Sequence, residues 1–414
     1  MNDILNWLYS QRRYSKKIGL DRTRALLKEM GNPQDSFKAI LIGGTNGKGS
    51  TASNLASIFT HAGIKAGFFS SPHLSYFSER YLIDGKRLKN REIKEALLKI
   101  KPKAIKTEAT FFEIATALAC QLFKDNKVEY AIMEVGIGGV NDATNVLEPI
   151  QSAITAISVE HSAVLGKTLA EIAEKKAGIM RKGIKTFSSA QGDALKTLKR
   201  VAKEKQAKLV LLDDYNISEI SKDWHSSKFT LSGNKFKLEL ETPLLGSYQL
   251  RNASLAALLA KNLKIPDQAI KNGIKNTVWP ARLERINYKN RIFVLDGAHN
   301  PGAINALIKS LKELGISKMP VIFGVMQTKD VMNMLEPLTE IGKEFVFTQA
   351  DSFRSTPAKE LKKLCKIKSS YRSHPKDAIE LAVKKSKENE RILVVGSLYL
   401  MGEIRPLLVR SKER

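Results

Sequence analysis

From Lys38 onward, short apolar runs alternate with longer stretches whose apolar positions recur at helical spacing, the rhythm of a parallel α/β protein. The first clear strand is Ala39-Ile-Leu-Ile-Gly43. A helix follows through Ser53-Asn-Leu-Ala-Ser-Ile-Phe59, with Gly63 placed to stop it just past the last turn. Further strands are expected at Tyr130–Val135, Ala153–Ile157, Lys185–Phe187 and Leu209–Leu212. The pattern then changes. Phe229 to Leu240 reads as a β-hairpin turned at Ser232-Gly-Asn234, followed by a helix from Gln249 to Asn262. A second α/β series begins after Trp279-Pro-Ala-Arg282, with strands at Arg291–Leu295, Val321–Gly324, Phe345–Thr348 and Arg391–Val395. A boundary near residues 277–283 divides the chain into an N-terminal domain, 1–280, and a smaller C-terminal α/β domain, 281–414. The N-terminal domain is a mostly parallel sheet with an added β-hairpin region. The sequence has no internal repeat and no low-complexity segment.

Length agrees with two domains, since 414 residues are too many for one hydrophobic core. No apolar run approaches the roughly 20 residues that span a bilayer. The start, Met1 to Trp7, lacks the basic and apolar regions of a secretory signal, so a cytoplasmic protein is expected. The cysteines are Cys120 and Cys365, both within expected helices, which argues against a disulfide framework or a thiolate metal site. The formal net charge of +26 admits three explanations: nucleic-acid binding, attraction of anionic substrates, or a lysine-rich composition. The basic residues are spread along the chain. Their densest stretch, Lys359 to Lys376, has helical spacing and little aromatic interleaving, as a solvated face would.

The sharpest local signal is Gly44-Thr-Asn-Gly-Lys-Gly-Ser-Thr51, which follows a strand and opens a helix. Glycines there let backbone N–H groups approach phosphate oxygens, and the helix N-terminus adds a favourable dipole. Lys48 supplies a point charge, and Ser50 or Thr51 a hydroxyl for magnesium. The strict Walker spacing is not met, because Gly49 follows the lysine. The bland alternative is a glycine-rich turn capping a helix. Downstream, Glu134 stands at the carboxyl end of a strand, where open α/β sheets place ligands, and Glu160-His161 end the next one. A carboxylate, an imidazole and serine hydroxyls beside a phosphate loop compose a magnesium site. Taken singly, Glu134 could cap a turn and His161 could simply be hydrogen-bonded.

These segments, in order, resemble the folylpolyglutamate synthase/dihydrofolate synthase family of the Mur ligase superfamily. The phosphate loop is similar to the one this family shares with cell-wall amino-acid ligases. Ser70-Ser-Pro-His-Leu74 with Phe77, Glu79, Arg80 and Gly85 is similar to the loop of its folate branch. Thr110-Phe-Phe-Glu113, Glu134-Val-Gly-Ile-Gly-Gly139, Asp142-Ala-Thr-Asn145, Leu165-Gly-Lys-Thr-Leu169 and Lys176-Ala-Gly-Ile179 follow. Gln249, Asn252, Trp279-Pro280, Arg282-Leu-Glu284, Asp296-Gly-Ala-His-Asn-Pro301 and Gly396-Ser-Leu-Tyr-Leu400 complete the set across almost the whole chain. The resemblance implies a P-loop-type N-terminal domain and a Rossmann-like C-terminal one. It implies that Ser71, Glu134 and His161, with Ser50 of the loop, hold Mg2+, and that ATP contacts Gly44 to Thr51 together with Asn252, Arg282, Asp296 and His299. It also implies carbamylation of Lys176, which would turn a cation into a carboxylate-like anion. The plain alternative is an exposed lysine on a basic helix.

The implied reaction is attack of a substrate carboxylate on ATP, then displacement of phosphate by the amine of L-glutamate, with Lys48, Lys176 and His161 as catalytic residues. The carboxylate would belong to a pterin acid or folate, bound near Pro72, His73, Phe77 and Phe112, although Phe111 and Phe112 also suit a helix core. Three departures from the family pattern stand out, the first two concerning substrate more than reaction type and the third lying beside Lys176. Val140-Asn141 replace an expected arginine and its neighbour, Glu160 replaces an aspartate, and Lys175 replaces a glutamate. A monomer without membrane or specific nucleic-acid partners is expected. A cell-wall amino-acid ligase is the nearest alternative, disfavoured by Ser-Pro-His-Leu and Asp-Gly-Ala-His-Asn-Pro. A nucleic-acid-binding ATPase is another, suggested by the phosphate loop and the charge.

Overall fold

The computed structural model describes residues 2–12, 19–327 and 329–409. Eight strands, β1 (Lys38–Gly43), β2 (Ala66–Phe69), β3 (Tyr81–Ile83), β4 (Lys86–Arg87), β5 (Tyr130–Glu134), β6 (Pro149–Ile154), β7 (Lys185–Ser188) and β8 (Lys208–Leu211), form one sheet in the order β4-β3-β2-β5-β1-β6-β7-β8. It is parallel from β2 to β8 and antiparallel at the β3–β4 edge. Strands β9 (Asn216–Lys222), β10 (Ser227–Gly233) and β11 (Phe236–Thr242) make a separate antiparallel sheet. The C-terminal sheet contains β12 (Glu284–Tyr288), β13 (Arg291–Asp296), β14 (Met319–Phe323), β15 (Gly342–Phe347), β16 (Ser369–Tyr371) and β17 (Arg391–Val395), ordered β12-β13-β17-β14-β15-β16. All its pairings are parallel except β12 with β13.

Strand period explains the uninterrupted apolar runs. Successive side chains point to opposite faces, so a strand covered on both sides must be apolar throughout. Ala39 and Leu41 of β1 join Ala131 and Met133 of β5 in one core, while Ile40, Ile42 and Ile132 join a second core on the other face. The C-terminal sheet repeats the arrangement. Val294, Val321 and Leu393 lie on one face, and Phe293, Ile322 and Ile392 on the other.

The helix after β1 runs Lys48–His61, starting five residues earlier than its apolar pattern shows, because its first turn is the phosphate loop itself. It ends where expected. Gly63 takes φ +69° and the N–H of Ile64 returns to the Phe59 carbonyl at 3.0 Å. Helices Ser247–Asn262 and Asp267–Lys275 bury this helix from the side away from the sheet. Gly273 sits so close that a Cβ there would lie 2.3 Å from the Ile58 Cα.

Several local expectations need correction. The hairpin region is a three-stranded sheet, because β9 adds an edge strand that is exposed and polar enough to escape an apolar reading. Its turn falls one step later than Ser232-Gly-Asn234. Gly233 still pairs with Phe236, leaving Asn234-Lys235 as the two-residue loop. Cys365 caps the helix Ala358–Leu364 rather than lying within it, and Cys120 is buried in Phe111–Asp125. The basic stretch Lys359–Lys376 crosses that helix, β16 and the start of the helix Pro375–Lys385, so it is not one helical face.

Candidate functional site

The phosphate loop is fixed by its neighbours rather than by its own bonds. Gly44 takes φ +131° and lies so near Thr155 that any Cβ would overlap the Thr155 Oγ1. The N–H groups of Thr45 and Asn46 donate to the Ala156 carbonyl at 2.8 and 3.2 Å, and the Thr45 hydroxyl donates to the Ser158 carbonyl. Gly47 takes φ +94°, and a Cβ there would stand 2.4 Å from the Asn252 Oδ1. At Gly49 it would stand 2.6 Å from the Trp279 ring. Glycine is thus required twice over at Gly47, by backbone conformation and by the approach of Asn252. Asn252 donates to Gln249 at 2.9 Å, and Lys48 donates to the Thr45 carbonyl at 3.1 Å. The Thr51 hydroxyl and the indole N–H of Trp279 are buried and have no hydrogen-bond partner among the described residues.

Lys176 is brought here by an ordinary helix signal. Thr168 accepts from the N–H of Glu171 while the Glu171 carboxylate takes the N–H of Thr168, a capping box that starts the helix Leu169–Lys176. The spacing from Ile172 and Ala173 then turns Lys176 inward and leaves Lys175 exposed. Lys176 is 4% exposed, and its Nζ donates to the Gly44 carbonyl at 2.6 Å. Burial, with the nearby Lys48 charge, lowers its pKa to about 7. This overturns the picture of an exposed lysine. Two family departures meet beside it, since the N–H of Val140 donates to the Lys175 carbonyl and the Val140 side chain lies over Gly178.

Glu134 ends β5 beside the loop Ser70–Arg80. Its Oε2 accepts from the N–H of Ser71 at 3.1 Å, and burial raises its pKa against the pull of Lys48, Arg282 and Arg80. It has no ion pair among the described residues, and those residues contain no ready-made cluster of three acidic, His or Cys ligands. A buried carboxylate with serine hydroxyls nearby suits a hard cation that takes its remaining oxygens from phosphate and water, as magnesium does. His161 adopts a left-handed φ of +53°, and burial lowers its pKa to about 4, leaving a neutral ring free to act as a ligand.

Residues from beyond the linker close the site. Asn300 donates to the Asn46 Oδ1 at 3.0 Å and accepts from the Asn46 Nδ2 at 3.4 Å, so two side-chain amides join the phosphate loop to the start of the helix Pro301–Glu313. Glu160, longer by one methylene than aspartate, reaches across to Lys329 at 2.6 Å and to the His299 Nε2 at 3.1 Å. Burial would raise the Glu160 pKa, but His299 and Lys329 hold it well below the ordinary carboxylate range. Asp296 is buried and accepts from the N–H groups of Leu283 and Ala298, both at 2.9 Å. Arg282 donates to the Ala281 carbonyl and lies against Gly297. An open cleft of about 350 Å3 beside Trp279 and Arg282 is bordered by Leu245 and Leu283.

The loop bearing Pro72 is pinned by Glu79, which accepts from the N–H groups of Leu74, Ser75 and Tyr76. It docks on the C-terminal helix Leu398–Val409, where Ser75 donates to the Gly402 carbonyl at 2.8 Å. Pro72 follows a cis peptide bond. His73 and Phe77 stack edge-on at 5.8 Å, with Tyr9 and Phe111 completing the cluster. Phe112, expected among these, faces instead toward Phe69 and Gly136. Adjacent helix positions point about 100° apart, so Phe111 takes the place beside Phe77. Tyr9, Ser158, Asn300 and Lys329 went unnoticed as site residues in the sequence. Asn300 was legible within its motif, but Tyr9 and Lys329 lie in stretches without one.

Residues 42–260 match the Mur ligase middle domain and residues 281–398 the Mur ligase glutamate ligase domain. The dihydrofolate synthase/folylpolyglutamate synthase of Bacillus subtilis is 32% identical over 98% of this chain and 98% of its own length. E. coli FolC in complex with DHPP and ADP superposes with a TM-score of 0.90 at 26% identity, covering 100% of this chain and 98% of that one. The Yersinia pestis bifunctional folylpolyglutamate synthase/dihydrofolate synthase, complexed with AMPPNP and Mn ion, gives 0.90 at 27% identity, covering 99% and 98%. With matching domains in matching order and similarity along the whole length, the chain belongs to the dihydrofolate synthase/folylpolyglutamate synthase family of Mur ligases.

Proposed function

We propose that the protein is an ATP-dependent ligase that joins L-glutamate to a pterin acid, dihydropteroate or a reduced folate, through an acyl phosphate. The observation that carries this reading is the convergence on one phosphate loop of buried Glu134, buried Lys176 and amides from both parts of the chain, Asn252 and Asn300. Relatives named for this reaction, one of them bound to ADP, support it.

In the first step a substrate carboxylate oxygen bonds to the terminal phosphorus of ATP as the bond to the bridging oxygen breaks, leaving ADP and an acyl phosphate. The neutral amine of glutamate then bonds to the acyl carbon, phosphate departs, and the nitrogen gives up a proton. Both reactants of the first step are anions, so charge control dominates the barrier. Lys48 and the N–H groups of Gly44 to Thr51 counter the phosphate charge. Ser50, Ser71, Glu134 and His161 would hold magnesium, which when bound neutralises the β- and γ-phosphates. Asn252, Arg282, Asp296 and His299 hold the nucleotide between the two parts, 1–280 and 281–414. Pro72, His73 and Phe77, with Phe111 from the next segment, border the place of the pterin acid.

Lys176 is carbamylated in this reading. Its neutral amine bonds to the carbon of CO2 and releases a proton, and a pKa near 7 leaves much of the amine neutral under ordinary conditions. The product is an anion beside Lys48, where the free ammonium is disfavoured.

The test is ATP cleavage measured with dihydropteroate, reduced folates and cell-wall precursors, each with and without L-glutamate. Glutamate-dependent ADP release with a pterin acid is the expected result. Turnover confined to cell-wall precursors would overturn the substrate, and stimulation by nucleic acid instead would overturn the reaction class.

A further inference from the structure

Arg80 closes the short turn Phe77–Arg80 just before β3, and it is only 5% exposed. An ion in the interior is costly unless an opposite charge meets it. Yet no carboxylate lies within ion-pair distance of Arg80 among the described residues. Its Nε donates to the His73 Nδ1 at 2.9 Å, and its Nη1 is buried without a partner. His73 cannot serve as the counter-charge, because an imidazole is either neutral or cationic. Accepting from the Arg80 Nε–H, its ring aims the guanidinium without neutralising it. The guanidinium faces the rings of Phe111 and Phe77, 5.5 and 5.8 Å from their centres. Its electrostatic surroundings are Tyr81, Tyr9, Tyr399 and, on the phosphate-loop side, Glu134.

The cation therefore stands between two regions. On one side is the aromatic group of Tyr9, Phe77 and Phe111. On the other, the loop runs back through Ser71, whose N–H holds Glu134. We propose that Arg80 is a substrate-binding residue whose free Nη1 takes the reacting carboxylate of the acyl substrate, holding one oxygen and leaving the other to attack ATP. The flat body of that substrate then lies among Tyr9, Phe77 and Phe111, and its acid end points toward Lys48. The assignment rests on the ligase reading above and adds to it the group that selects an acid. It also accounts for a buried cation that the fold alone does not need, because the missing anion arrives with the substrate.

The test uses two variants and two ligands. Arg80→Met keeps length and contact with the rings but removes the charge, and Arg80→Lys keeps charge but loses the fork. Dihydropteroate and its neutral carboxamide are titrated by calorimetry in the presence of magnesium and a non-hydrolysable ATP analogue. Arg80→Met should bind the acid about thirtyfold more weakly or worse and the amide as well as wild type does, the loss expected for a charge-assisted hydrogen bond. Arg80→Lys should fall between. Arg80→Met should melt at the wild-type temperature or higher, because an apolar side chain replaces a buried ion. Equal losses for acid and amide, or a melting point lowered by several degrees, would mean that the guanidinium only shapes the pocket, and would overturn the assignment. Unchanged acid binding would overturn it as well. If wild type binds neither ligand and shows no glutamate-dependent ATP cleavage, the ligase reading itself falls, an outcome distinct from indiscriminate binding by the variant.

Discussion

Replacing Lys176 by methionine should make the protein more stable and inactive at once. The folded chain lowers the Lys176 pKa from 10.5 to about 7, mainly by burial. At 1.36 kcal/mol for each tenfold, that is a penalty of about 5 kcal/mol on the charged form. Between pH 7 and 10.5 the unfolded chain binds the extra proton, so stability rises with pH through that window. Below pH 7 the full penalty stands. Methionine removes it but also loses the bond to the Gly44 carbonyl, about 2 kcal/mol for a charged donor. The expected net gain is about 3 kcal/mol at pH 6 and, where the amine is mostly neutral and its bond worth about 1 kcal/mol, about 2 kcal/mol at pH 8, read from urea unfolding in CO2-free buffer. Carbamylation adds a second signature. Bicarbonate at pH 8 should stabilise wild type and leave Lys176→Met unchanged, and carbon-13 NMR with labelled bicarbonate should show the carbamate in wild type alone. Ligation should fall at least about a hundredfold in Lys176→Met and Lys176→Ala, with partial rescue of Lys176→Ala by a small carboxylic acid. Lys175→Ala, on the exposed side of the same helix, should do much less. A Lys176→Met protein that is less stable at pH 6 and still turns over would refute the reasoning.

Lys48→Ala should lower turnover by about a hundredfold or more without shifting the melting temperature, since Lys48 bonds only a loop carbonyl. Near-normal turnover would remove the phosphate loop from the mechanism. Arg282→Ala should weaken ATP binding by about tenfold although it lies far along the chain from that loop, and unchanged affinity by calorimetry would count against a nucleotide held by both parts. Gly47→Ala should cost about 1–3 kcal/mol and most of the ATP affinity, because φ is +94° and the new Cβ would meet Asn252 at 2.4 Å. Full ATP affinity in that variant would contradict the geometry.

The sequence revealed the strands that are apolar on both faces, such as β1 and β5, because burial leaves no polar positions to blur them. Four-residue β2, Ala-Gly-Phe-Phe, escaped because it has no β-branched residue and Gly67 thins it where Phe123 packs. Strand β12, Glu-Arg-Ile-Asn-Tyr, carries the polarity of an edge. Among site residues, the motifs revealed types and order but not direction. Phe111 and Phe112 are indistinguishable on paper, and only the helix phase decides which meets Phe77. Lys176 was ambiguous for the same reason until its helix was seen to turn it inward. Glu160 looked like a mild lengthening of an arm, and its reach to Lys329 depends on a contact 169 residues away. Pairings at that distance have no local signature.

The amide pair between Asn46 and Asn300 bears on how product escapes. The Asn300 Oδ1 also accepts from the N–H of Ala303 at 2.9 Å, capping the helix Pro301–Glu313. When the two parts draw apart, Asn300 gives up only its bonds to Asn46, and water can replace each of them. The cap stays made, so the helix has no reason to fray, and no apolar surface is laid bare at that point. The joint behaves as a detachable clasp whose two sides keep their shape when undone. An enzyme that must release ADP, phosphate and a larger acyl product after every cycle can therefore open there without partial unfolding, and reclose on the next nucleotide with the loop already formed.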